Sequence, residues 1–498
     1  MAQTITGLQT TSLQEQPGKI NRKVLKLPQN LYTEWRAGGN AQAALRDAQK
    51  LSPPEQLLQA AWFHQRLWRD RLKTVDGQPV RVLHPGFWNH EAGPDFREAV
   101  IQIGAAAPVI GDVEIDLAPA GWRGHGHDRN PAYGKVILHV VWEGGTGGVN
   151  LPTMTLKPVL DAPLDELAMW LGSEASSRLP QQLAGQCAAP LKDLSDDVRS
   201  EVLQQASLVR LRRKAAQFEA RARQAGWDQA LWEGLFRALG YKHNVWPMQR
   251  LAELRGLLQP QPSSEPLLAW QARLLGVGGL LPDELMRTES DKYLLRVWDA
   301  WWRERETFAE VALPKKLWRF NGMRPANHPQ RRLALASHWL ARGDLVQRLE
   351  NWFTTEMPET EWVVSLLTVL QAKDDDFWSW HWTFRSARMA QAQPLLGATR
   401  VTDLAINIIL PWFWIRAAAG KNGALQELAE RRYLKWPAAE DNAVLRLARQ
   451  RLLGGVSRKA FRTASTQQGL LQIVRDFCDH SNAVCAECKF PELVRALR

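Results

Sequence analysis

Apolar and polar positions alternate most clearly along residues 79 to 143. Arg97 to Ile103 and Val109 to Leu117 read as two strands rich in branched residues, joined by the small-residue turn Gly104 to Pro108. In the second strand Val113, Ile115 and Leu117 share one face, and Asp112, Glu114 and Asp116 share the other. Val80 to Leu83, after the turn Asp76-Gly77, predicts an earlier strand, and Val136 to Val141 a later buried one. Upstream, Ser52-Pro53-Pro54-Glu55 marks a helix start, and the spacing of Leu57, Leu58, Ala61, Trp62, Leu67 and Trp68 carries that helix to about Leu72. The predicted order is helix, three strands, a short irregular or helical link, then a strand.

Beyond about residue 160 the pattern changes to the helical period. Ser195-Asp196-Asp197 starts a long helix whose apolar stripe includes Val198, Val202, Leu211, Ala215 and Phe218. Helical patterns continue to the end of the chain, among them 228–240, 246–258, 282–311, 330–355, 376–392, 401–417 and 465–477. The expected fold class is α+β: a tail at 1–30, a small α/β core at 31–165, a larger helical domain at 166–477 and a Cys-rich terminus at 478–498. A length of 498 residues is enough for such a division. No repeat of fixed period occurs.

Composition adds one strong signal. The formal net charge of +11 favours a polyanionic partner, most simply DNA or RNA. The 24 tryptophans, against 5 tyrosines, are expected mostly in the core, because so large an apolar ring is seldom left in water. Met1 to Lys23 has no apolar segment of the signal-peptide kind. No run of about 18 apolar residues is uninterrupted; Ile406 to Ala419 comes closest but contains Pro411 and Arg416. No membrane association is expected, and the 4 cysteines suggest no secreted disulfide framework, so a cytoplasmic location is expected.

The chemistry follows from the strand hairpin. Folding it brings Asp95, in Gly93-Pro94-Asp95-Phe96, toward Glu114 and Asp116. Crowded carboxylates repel unless a cation sits among them, so Asp95 and Glu114 are candidate ligands of Mg²⁺ or Mn²⁺, with Asp116 as a third ligand or water-orienting group. The plainer reading makes them a turn cap and a solvated strand face. Lys135 and Glu55 are further candidates for the same site, although Glu55 also suits an ordinary helix start. His125 and His127, with His139 and either His84 or His90, offer general acid–base groups or ligands for a transition metal. Cys478, Cys485 and Cys488, with His480 or Cys187, have the look of a structural Zn²⁺ knuckle. Arg210 and Arg213 on the long helix, and Arg324, Arg331 and Arg332 further on, are candidate phosphate contacts. The chain has no GxxxxGK[ST], GxGxxG or GxSxG motif, which argues against nucleotide motors, dinucleotide enzymes and lipase-type hydrolases.

Two resemblances sharpen this reading. The element order, with Pro94-Asp95, eighteen residues and then Glu114-Ile115-Asp116, resembles the PD-(D/E)XK nuclease superfamily with its restriction-endonuclease-like core. That resemblance implies a metal-dependent nuclease; Asp116 stands where the superfamily prefers lysine, which leaves a catalytically inactive nucleic-acid-binding or scaffold protein as the alternative. A third expectation is a hydrolase of another type that uses the histidines and a transition metal. The run through His84-Pro85-Gly86, Gly93-Pro94-Asp95-Phe96, Val113-Glu114-Ile115, Trp122, His125-Gly126-His127 and Tyr133 is similar to a widespread bacterial family of unassigned function. Phe320, Arg324-Pro325-Ala326-Asn327 and Cys485-Ala486-Glu487-Cys488 extend that similarity, in which Asp116 takes the place of a usual histidine.

Overall fold

Pro54 fixes the entry to the first helix, α1 (Glu55–Phe63), with φ −58°, and Glu55 puts an acid on its first turn. The helix stops at Phe63, short of the expected Leu72. Gln65 turns the chain with a left-handed φ of 48°, Leu67 then pairs with Leu160, and Trp68 N–H donates to the Val159 carbonyl at 2.8 Å. Pairing with a distant segment overrides the local helical spacing there. The computed structural model describes residues 27–36, 53–145 apart from 90, 150–164, 167, 189–285 apart from 242, 292–454 apart from 322, 373 and 442, 462–477 and 488–497. Ser52, His90, Cys187, Cys478, His480 and Cys485 lie outside the described residues.

The strands β1 (Val80–His84), β2 (Phe87–Trp88), β3 (Phe96–Ile103), β4 (Val109–Asp116), β5 (Val136–Val141) and β6 (Thr153–Thr155) form one sheet. Its order is β1-β3-β4-β5-β6, with β2 beside β3. The first pairs are antiparallel, whereas β5 runs parallel to β4 and β6 parallel to β5. The expected helix, three strands, link and strand are all present. β2 and β6, two and three residues long, are too short for alternation to reveal them.

A parallel pair needs a crossover. Residues 117–135 supply it, with a helical turn at Gly121–Gly124 and a 3-10 turn at Pro131–Tyr133. This crossover explains why both faces of β4 are buried. Val113 and Ile115 pack with Leu58, Trp62, Leu138 and Val140, while Glu114 and Asp116 lie under the crossover. Asp112 instead steadies a bulge in β3 at Glu98, φ 57°, whose N–H donates to Asp112 Oδ1 at 3.1 Å.

The rest of the chain is mostly helical. Ser195 Oγ accepts from Val198 N–H at 3.4 Å and starts α2 (Asp196–Ala225), which Gly226 ends at φ 83°. Two further helices, α3 (Trp227–Leu239) and α4 (Val245–Glu253), follow directly. The expected 330–355 helix divides at Gly343, φ 71°, into Pro329–Arg342 and Leu345–Thr354. Residues 376–392 are not helical, because Asp375 Oδ1 takes the backbone N–H groups of Phe377 and Trp378 into a turn. The stretch Ala398–Ala419 is long and apolar enough to cross a membrane, but most of its most apolar window is buried inside the protein. Its π-turn at Ala405–Ile409 precedes Pro411, which cannot donate to the preceding turn.

Many tryptophans are core residues, as expected: Trp62, Trp339, Trp378, Trp412 and Trp436 are among the largest fully buried side chains, while Trp302 is exposed. Several satisfy their indole N–H on carbonyls, Trp62 on Pro85 at 2.9 Å and Trp339 on Leu370 at 2.7 Å. The sheet meets the helices through Leu83 and Val100, which pack into the helical cluster of Met248 and Leu251, apart from the sheet's own core around Val113 and Ile115. Residues 27–36 pack with the C-terminal helices: Tyr32 is 1% exposed, and its hydroxyl donates to Asp476 at 2.8 Å.

Candidate metal centre

The turn before β3 delivers the first acid. Asn89 Nδ2 donates to the carbonyls of Glu91 and Pro94, and Asn89 N–H to that of Asp95, which fixes Gly93-Pro94-Asp95 against the sheet. Asp95 Oδ2 then accepts from Ile115 N–H at 3.0 Å, and Glu114 Oε2 accepts from Asp95 N–H at 3.0 Å. From α1, Gln59 Nε2 reaches both Glu55 Oε1 at 3.2 Å and Asp95 Oδ1 at 2.8 Å. The hairpin therefore does gather Asp95, Glu114 and Asp116, and α1 adds Glu55.

Histidines close the other side. Asp116 Oδ2 meets His139 Nε2 at 2.9 Å from the neighbouring strand, and Asp116 Oδ1 lies 3.2 Å from His125 Nδ1. His127 Nδ1 is 3.4 Å from Glu114 Oε1 and has no hydrogen-bond partner although it is buried. Its ring stacks on Tyr133 at 4.0 Å between centroids, and Trp122 stands edge-on at 5.4 Å. Gly121 is required for this packing, because a Cβ there would fall 2.5 Å from Asp116 Oδ1.

The electrostatics are those of acids held too close. Burial, and then Asp95, pushes Glu114 well above the usual carboxylate range. Asp95 is also raised, by burial first and then by Glu55 and Asp116, against the Ile115 hydrogen bond. Burial and Asp116 raise Glu55 too. Burial lowers His127, so it favours the neutral form that binds metals. Burial and the nearby Glu114 push Tyr133 up to about 12.

The donor set fits a divalent cation. Ligating atoms of Asp116, His125 and His127 all lie within 4.8 Å of one another. Two ligands about 2.1 Å from a common ion stand about 3.0 Å apart in an octahedron and about 3.4 Å apart in a tetrahedron. The 3.2 Å between Asp116 and His125 falls in that range, and the 3.4 Å from His127 to Glu114 puts a second acid within the same reach. Asp95 has each carboxylate oxygen on an N–H group, which suits holding Glu114 in place. Tyr133 stands in the family-like run beside the histidines, whereas the sequence had no signal for Gln59 or Gly121, which join the cluster only through the fold.

Other candidates go elsewhere. His84 Nδ1 accepts from Gly86 N–H at 3.0 Å, and burial lowers its pKa to about 3, so it is a neutral turn residue. Lys135 is exposed, and it is its carbonyl that takes part in the sheet, accepting from Asp112 N–H at 2.8 Å. Cys488 Sγ lies 3.9 Å from the Phe477 carbonyl.

Arg331 and Arg332 are 1% and 4% exposed, which corrects the expectation that they reach phosphates. Arg331 donates to the carbonyls of Trp378, Gln393 and Pro394, and Arg332 to that of Leu395 at 2.7 Å. Arg213 is 6% exposed, and Arg210 Nε donates to Gln468 Oε1 at 2.7 Å. Arg324 remains at the surface, 3.9 Å from Glu440.

A curled mixed sheet, a buried carboxylate–histidine centre beneath its crossover and a helical shell define the class of protein: an α+β chain built around a potential metal centre. More particularly, the chain belongs to the family described as Protein of unknown function (DUF2851), whose match covers residues 55–442. No curated protein and no solved structure matches the chain.

Proposed function

We propose that this protein is a metal-dependent hydrolase of phosphodiesters, of the nuclease type, with a divalent transition cation held by Asp116, His125 and His127 beside Glu114. The observation that carries this reading is His127 Nδ1, buried without a hydrogen-bond partner and facing Glu114 Oε1 at 3.4 Å. A buried ring nitrogen left so is costly unless something else satisfies it. Imidazole donors favour Mn²⁺ or Zn²⁺ over Mg²⁺. Once bound, such a cation supplies Lewis acidity toward a phosphoryl oxygen.

The chain's own groups have separate roles. His139 orients Asp116, and Asp95 orients Glu114 through its backbone N–H. Glu55 is half-buried at the same place, beside Gln59. Arg123 and Arg129, exposed on the crossover, and the net charge of +11 suit an anionic polymer as substrate. The order of α1, the three antiparallel strands and the parallel β5 supports the nuclease-like reading of the core.

A nucleic-acid-binding scaffold of the same fold is the rival, and Asp116 is the observation in its favour. A carboxylate stands there where nucleases of the resembling superfamily prefer lysine, and two histidines engage it. The test is incubation of the full chain with labelled single- and double-stranded DNA and RNA in Mn²⁺, Zn²⁺ or Mg²⁺. Cleavage that disappears in both Asp116→Ala and His127→Ala supports the hydrolase. Binding without cleavage under every cation overturns it in favour of the scaffold.

A further inference from the structure

A cavity of about 100 Å³ lies at the other end of α1. At about 1.5 Å per residue, the nine residues of α1 set it some 13 Å from Glu55. One wall comes from the chain just after the helix, with Arg66 and Arg69, and from Asp161; the other comes from α2 and α3, with Lys214, Arg221 and Glu233. Among its lining side chains cations outnumber acids, with Arg66, Arg69, Lys214, Arg221 and Arg237 against Asp161 and Glu233.

Most of these cations already have an acid. Arg66 Nε is shared between the two oxygens of Asp161 at 3.0 and 2.9 Å. Arg221 forks onto Glu233, with its closest bond at 2.8 Å, and Arg69 pairs with Glu253. Two cations nevertheless keep N–H groups that no acid takes up. Arg66 is 6% exposed, yet both its terminal Nη atoms are buried without a hydrogen-bond partner. Lys214 Nζ is held by two neutral amide oxygens, Asn407 Oδ1 at 2.6 Å and Gln468 Oε1 at 2.7 Å.

Guanidinium carries five N–H donors in a fixed fork and stays protonated, so Arg66 cannot relieve its unpaired donors by losing a proton. Leaving them buried is costly, and an oxyanion that accepts from both Nη atoms removes the cost. Lys214 can adjust its charge: burial, with Arg210 nearby, lowers its pKa well below the ordinary lysine value. A negative ligand alongside would restore the ammonium.

We infer that this cavity is a binding site for a phosphate-sized oxyanion, gripped by the Arg66 guanidinium and Lys214. The ligand class is inorganic phosphate or the terminal phosphate of a nucleotide. The site uses none of the residues of the metal centre, so it stands or falls separately from the hydrolase reading.

The experiment is calorimetric titration of the full chain with inorganic phosphate, with a chelator present so that no cation bridges phosphate to the acidic cluster. Saturable binding of one phosphate per chain is expected, at least tenfold weaker in Lys214→Met and in Arg66→Met. Hydrogen exchange on the unmutated chain covers the case of a variant that does not fold: phosphate should slow exchange over residues 64–69 and 214–237. A 5′-phosphorylated dinucleotide that displaces phosphate, where its 5′-hydroxyl counterpart does not, identifies the ligand as a strand end; failure of both to displace it identifies a free oxyanion. Absence of phosphate binding to the unmutated chain, or protection confined to other segments, overturns the inference.

Discussion

Two groups of buried charge in this protein are built on opposite principles. Around Glu253, at the end of α4, signs are balanced: Arg69 and Arg250 pair with it, and Arg221 lies close by. Burial alone would raise Glu253, but Arg69, and then Arg250 and Arg221, hold it down to about 2. Under the crossover, Asp95, Glu114 and Asp116 meet one another and three histidines, and Glu114 and Asp95 are pushed up. Balanced buried charge holds structure together. Unbalanced buried charge costs stability and is retained where something else binds.

The largest effect should come from breaking the balanced group. Glu253→Ala leaves buried arginines without their acid and should cost about 3–5 kcal/mol in denaturant unfolding. Its pH dependence has a definite sign. A folded pKa below the ordinary value gives stability that is present above about pH 4.5 and is lost as pH falls toward about 2. Acid unfolding in that window should therefore be blunted in the variant.

Gly121→Ala comes next, because the new Cβ meets Asp116 Oδ1 and displaces it from His125 and His139. Overpacking of this kind costs about 1–3 kcal/mol, and cation affinity should fall with it.

Glu114→Gln should act the other way on stability. With a chelator present it should stabilise the fold at pH 8, by at least the ~1.4 kcal/mol that one unit of raised pKa is worth. The sign follows from the raised pKa: the stability contribution is intact below about pH 4.5 and is lost progressively as pH rises toward about 9. The gain should shrink toward pH 5 and turn into a loss when Mn²⁺ is added, as differential scanning calorimetry would show.

The smallest structural effect is expected of His125→Ala. This side chain is 57% exposed, so stability should stay within about 0.5 kcal/mol while cation affinity drops.

Much of the candidate metal centre was legible because strands impose a strict alternation. Val113 and Ile115 against Glu114 and Asp116 put two acids on one face by spacing alone, and the turn at Gly93-Pro94-Asp95 placed the third. Gln59 and Gly121 were not legible, since both reach the cluster through packing that no local spacing encodes; Tyr133 was marked only by its place in the family-like run, not by any spacing. The arginines failed for a related reason. Arg331 and Arg332 in a charged run look the same in sequence whether they face solvent or satisfy the carbonyls of Trp378 and Leu395. The non-helical stretch 376–392 shows the same limit, because a single capturing carboxylate, Asp375, outweighs a helical pattern of apolar residues.

The central claim is that the acids and histidines under the crossover hold a cation. Equilibrium dialysis against Mn²⁺ tests it most directly, because that ion competes poorly for the thiols near the C-terminus. One Mn²⁺ per chain should bind at neutral pH, with affinity at least 10–100-fold lower in His127→Ala. Failure of the unmutated chain to bind Mn²⁺, or equal binding by the two proteins, would contradict the account.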